Sequence, residues 1–61
     1  MTPQDKEILR ELFMEIHDRL DGVRKIVAPL EDEAATGMLE GLEYETLRHI
    51  LKLRRHFDVP Y

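Results

Sequence analysis

Cysteine, tryptophan and serine are all absent from these 61 residues. Without cysteine there is no disulfide to staple a small domain and no thiolate to hold a metal. Without serine or cysteine, the aliphatic hydroxyls shrink to Thr2, Thr36 and Thr46, which leaves little material for nucleophilic catalysis. No glycine-rich loop follows a strand-like segment, so no phosphate cradle is expected. Long apolar runs are missing too. None exceeds three residues, as in Leu12-Phe13-Met14 and Ile26-Val27-Ala28. Neither a membrane span nor a secretory signal is therefore expected, and the reading is a cytoplasmic protein with no membrane partner.

What is present suits a folded chain. Apolar residues make up 43% and charged residues 36%, with thirteen acids against nine bases and a net charge of −4. That balance argues against disorder. The length allows one small domain, 1–61, and a chain of this size buries only about 60% of the surface its unfolded form exposes.

The first half reads as a helix over about 3–28. Thr2 is placed to cap it, Pro3 suits the first helical position, and Asp5 stands where a capping-box acid belongs. Leu9, Phe13, Ile16, Leu20, Val23, Val27 and Leu30 then follow at spacings 4, 3, 4, 3, 4 and 3. Such a seam is the pattern of packed helices. Ile8, Leu12 and Ile26 widen it, and Gly22 marks a position open to a close helix crossing.

Pro29 disfavours helical geometry at Ala28, so the chain is expected to turn near 28–31. A second helix then runs over about 31–57. A longer connection, with Thr36 as the cap before Gly37, is the other possibility. Ala35, Leu39, Leu42, Thr46, His49, Leu53 and His56 repeat the same spacings, with Ile50 and Phe57 along one side. Gly37 and Gly41 stand four apart, open to a close helix approach. Pro60 ends any helix, leaving 58–61 as a frayed or docked tail.

The fold class is thus all-α, an antiparallel helical hairpin. Each helix carries an apolar arc wider than one partner covers, and Tyr44, Leu47 and Leu51 lie off the second seam. Pairing two hairpins into a four-helix bundle closes that surface, so a homodimer is expected. The seam assigned to the core and dimer contact is Leu9, Phe13, Ile16, Leu20, Val23, Val27, Leu39, Leu42, Leu53 and Phe57.

Charge is segregated. Between Ile26 and Leu47 there is no lysine or arginine, but Glu31, Asp32, Glu33, Glu40, Glu43 and Glu45 are present; Arg48, Lys52, Arg54 and Arg55 follow. Acids early and bases late match the helix dipole. Helical spacing also puts Arg48, Lys52 and Arg55 on one stripe beside Tyr44 and Leu51, a basic and aromatic pattern that suits a nucleic-acid backbone. The net negative charge works against that reading. The acidic stretch offers the opposite idea, a mimic of a phosphate backbone. Glu45, His49 and His56 share a face as metal ligands would, but the Glu-x-x-His spacing of di-iron bundles is missing and His17 sits on a flank. No metal or cofactor is expected, and no catalytic residue.

Met1-Thr2-Pro3-Gln4-Asp5-Lys6, the length, the turn near residue 30 and the closing Arg54-Arg55-His56-Phe57 together resemble the Rop family of small RNA-binding plasmid copy-number regulators. The resemblance covers a few residues and implies an antiparallel dimer of helical hairpins that binds RNA through the first helix. Arg10 and Lys25 would fall on that face. Pro3, Met14 and Asp18 depart from it, standing where the family's face has lysine, phenylalanine and glutamine.

The reading that emerges is a non-enzymatic regulator or adaptor that binds another protein, with Tyr44, Arg48, Leu51, Lys52 and Arg55 as contact residues. A nucleic-acid-binding dimer of Rop-like architecture and a structural subunit of a larger helical assembly are the alternatives.

Overall fold

The computed structural model describes all residues 1–61 as two long helices packed antiparallel. Helix α1 spans Pro3–Val27 and α2 spans Glu33–Phe57, each of 25 residues, joined by a single 3-10 turn at Ala28–Leu30. No helix is long and apolar enough to cross a membrane.

The ends of the helices follow from local chemistry. The Thr2 hydroxyl accepts the Asp5 amide at 3.0 Å, and the Asp5 carboxylate accepts the Thr2 amide at 3.4 Å, closing the capping box. At the turn, Ala28 keeps right-handed helical geometry (φ −56°, ψ −44°) despite the proline after it, and its amide bonds the Arg24 carbonyl. The α-helix ends at Val27, as expected, and passes into the 3-10 turn, where the missing N–H of Pro29 is not needed. Glu31 adopts the left-handed conformation (φ 52°), and Asp32 caps α2 by accepting the Ala35 amide at 3.0 Å. The second helix thus begins at Glu33, two residues later than the expected 31. Asp32, not Thr36, is the cap, and Thr36 lies within the first turn, donating its amide to the Asp32 carbonyl at 2.9 Å.

Packing between the helices is thin. Phe13, Ile50 and Val59 form one buried cluster with Leu9 against it, and Leu39 is buried nearer the turn. The tail is docked: Val59 is 6% exposed, and Asp58 turns left-handed (φ 55°) so that the Val59 amide reaches the Arg54 carbonyl. The assembly measures 44 × 17 × 12 Å, a single layer of helices.

The inward face of α2 differs from the expected seam. Leu39 and Ile50 are buried, with Glu43, Thr46 and Arg54 half-buried between and beyond them; Leu42, His49, Leu53 and His56 are exposed. On α1, Phe13 is buried and Leu9, Leu20 and Val27 are half-buried, whereas Ile16 and Val23 face solvent. Phe57 is 36% exposed. Ile16, Val23, Leu42, Leu53 and Phe57 therefore do not belong to the core of the hairpin. The apolar arc of each helix is wider than the contact, and the two helices meet along one edge of it. Gly22, Gly37 and Gly41 support no close crossing within the hairpin, since a Cβ added at any of them would meet nothing within 4 Å.

Candidate functional site

Two surfaces flank the line where the helices meet. Taking Phe13 and Ile50 as the inward directions and about 100° per residue, Ile16, Val23 and Leu12 lie roughly 60–100° to one side on α1. Leu42 and Leu53 lie about 80° and 60° to the same rotational side on α2. In an antiparallel pair those rotations point to the same side of the hairpin. Five aliphatic side chains thus share one face, at exposures of 37% (Ile16) to 51% (Leu42). His49 and His56 border this face on α2. Both are exposed, His49 lying 3.6 Å from Glu45 and His56 edge-on to Phe57 at 4.7 Å. No group of three or more histidine, aspartate or glutamate side chains converges as metal ligands would.

The opposite side holds a groove. Its floor is Phe13, Ile50, Leu47 and Leu51, with His17, Arg54 and Tyr61 at its edges, enclosing about 340 Å³. Leu47 and Leu51 also floor an adjoining hollow of about 340 Å³ walled by Tyr44 and Arg48. Tyr44 is 66% exposed and Leu47 38%, so this apolar strip faces solvent.

The cationic residues behave differently from one another. Arg48 pairs with Glu45 at 3.2 Å on the surface. Lys52 and Arg55 are exposed and make no ion pair, and Arg55 borders a hollow formed with Arg54 and the tail. The structure places Tyr44, Arg48, Leu51 and Arg55 along one shoulder of α2. Lys52 sits on its outer edge, beyond the groove. Arg54 is the residue that sequence spacing missed. Its guanidinium lies 4.4 Å from the Tyr61 ring centroid and 5.6 Å from that of Phe13, and its Nε is buried without a partner. Arg10 fixes the tail from the other helix, its Nε donating to the main-chain oxygen of Tyr61 at 2.9 Å. The reach from Arg54 to Phe13 and from Arg10 to Tyr61 has no local signature, because those partners are 41 and 51 residues apart in sequence.

At the turn end the sign reverses. Glu31, Glu33 and Glu40 surround a shallow polar hollow with Thr36 and Gly37. Arg24 and Glu43 bridge the helices nearby. Their hydrogen bond, reinforced by charge attraction, holds the Glu43 carboxyl below the ordinary carboxylate value and the Arg24 guanidinium above its own.

No family model, curated protein or solved structure matches this chain. The Rop resemblance rests on a few residues of sequence; the structure shows a helical hairpin.

Proposed function

We propose that this chain is a non-enzymatic regulatory or adaptor protein of the cytoplasm, working as a homodimeric four-helix bundle that binds another protein. The observation that carries this reading is the face of Leu12, Ile16, Val23, Leu42 and Leu53. Two packed layers are the usual minimum for a domain, and this hairpin is one layer, 12 Å thick. Its broad side, 44 by 17 Å in extent, carries these five partly exposed aliphatic side chains. A second copy supplies a face of the same size and character, which is what an isologous dimer requires. Burying it leaves the groove and the charged ends of both hairpins outward, available to a further partner.

The test has two parts. Tagged and untagged chains refolded together are expected to co-purify, and Leu42→Lys is expected to separate them. Failure to exchange subunits overturns the dimer. Capture from a native lysate of the source cells at moderate salt then tests the adaptor role; an empty capture overturns it.

A second reading, nucleic-acid binding, is favoured by the unpaired Lys52 and Arg55 on one outer stripe with Arg48. Material purified at low salt would then carry excess absorbance at 260 nm, abolished by changing Arg48, Lys52 and Arg55 together to glutamine.

A further inference from the structure

The groove opposite the dimer face is a separate surface. We infer that it holds an amphipathic helical segment of a partner protein, apolar along the face it presents and carrying carboxylates beside that face. This assignment rests on the proposed protein-binding role and names the partner's chemistry.

Three observations support it. The first is shape. From Tyr44 to Arg54 the strip runs ten residues of α2, about 15 Å at 1.5 Å per residue, which accommodates close to three turns of helix. The second is the floor. Leu47 and Leu51 stand one turn apart with Ile50 and Phe13 below them, and exposed Tyr44 rises at one wall. That spacing receives side chains at i, i+3 and i+4 of a docked helix. Tyrosine at the rim, with an apolar ring and a polar tip, is the kind of residue that anchors protein contacts.

The third observation is charge. Arg48, Arg54 and Arg55 line the outer wall and the open end, and only Arg48 has a carboxylate partner, the exposed Glu45. Toward the turn, the groove runs on to Asp21 and Glu43, and Arg24 already occupies Glu43. Asp58 also lines that open end without pairing to Arg54 or Arg55, and the Arg54 guanidinium lies over the Phe13 and Tyr61 rings, so the charge left there is positive by one and centres on Arg55. Acidic groups on a partner complement it and fix the direction in which the partner lies. A protein fits better than a nucleic acid here: the floor is mainly aliphatic, and the unpaired Glu31, Glu33 and Glu40 near the turn would repel a phosphate chain.

The experiment uses the intact protein and two fluorescent synthetic helical peptides. Both carry leucines at i, i+3, i+4 and i+7; one has glutamates flanking the leucines and the other has lysines. A labelled oligothymidylate is the third probe, and all are followed by anisotropy. The glutamate peptide is expected to bind about tenfold more tightly than the lysine peptide, as two or three ion pairs of modest strength would give. Raising the salt should narrow that gap. Tyr44→Ala and Arg55→Gln lie on the surface and should weaken the glutamate peptide while leaving helicity and melting unchanged. Leu42→Lys, on the dimer face, should leave its binding intact. Equal binding of the two peptides, binding of neither, or preference for the oligonucleotide overturns the assignment. A monomer that still prefers the glutamate peptide would remove the dimer and keep the groove; a dimer that binds neither peptide would do the reverse.

Discussion

Arg24 and Glu43 clamp the two helices near the turn with a forked contact. Arg24 Nε donates to Oε2 at 2.9 Å and Nη2 donates to Oε1 at 2.5 Å. Two parallel bonds fix both the distance and the rotation of one helix against the other. This pair supplies the side-chain hydrogen bonds that run directly from α1 to α2.

The pair gives a pH prediction. The hydrogen bond to Arg24 lowers the Glu43 carboxyl in the folded state. Its contribution is therefore complete above the ordinary carboxylate value and is lost as pH falls through the lowered one. Glu43→Gln should be less stable than the parent at pH 7, and the difference should shrink by pH 3. Thermal melts at the two pH values check this. Parallel losses in both proteins would contradict it.

Core truncation should be far more damaging than surface change. Phe13 is 5% exposed, and replacing a buried phenylalanine by alanine costs about 3–5 kcal/mol, enough to unfold a small domain. Tyr44→Ala, at 66% exposed, should stay within about 0.5 kcal/mol. Urea titration followed by circular dichroism separates the two.

The glycines supply a stabilising series. Gly22, Gly37 and Gly41 lie inside helices with nothing within 4 Å of an added Cβ. Each change to alanine should add about 1 kcal/mol. A loss at any of the three would reveal a neighbour that approaches there only in the assembled protein.

The docked tail makes its own prediction. Val59 packs against Phe13 and Ile50, so Val59→Ala removes two methyl-sized groups, about 1.5 kcal/mol at ~0.8 each. Asp58→Gly should act in the opposite direction, since Asp58 sits at φ 55°, where glycine carries no steric penalty. Denaturant midpoints for the two variants should move in opposite directions.

Much of the fold was legible because it is written locally. Thr2, Pro3 and Asp5 specify the start of α1, and the 4, 3 spacing from Leu9 to Val27 specifies its apolar side. The start of α2 was less clear because Asp32 and Thr36 are both competent caps. Which edge of each arc meets its neighbour was not legible at all. Leu42 and Leu53 fit an apolar seam better than Glu43 and Arg54 do, yet Glu43 has Arg24 and Arg54 has the Phe13 and Tyr61 rings to satisfy them. Those partners are 19 or more residues away except Tyr61, and no periodic pattern announces them. Tyr44 and Leu51, the proposed contact residues, stand out in the sequence because they fall off the seam, whereas Arg54 is hidden among the bases expected at a helix end.

The central claim is that a second copy covers Leu12, Ile16, Val23, Leu42 and Leu53. Sedimentation equilibrium of the whole chain across micromolar concentrations tests it most directly. A mass near twice 7.2 kDa, falling to a single chain in Val23→Lys or Leu42→Lys, is the expected result. A cooperatively folded species of 7.2 kDa at every concentration would contradict it.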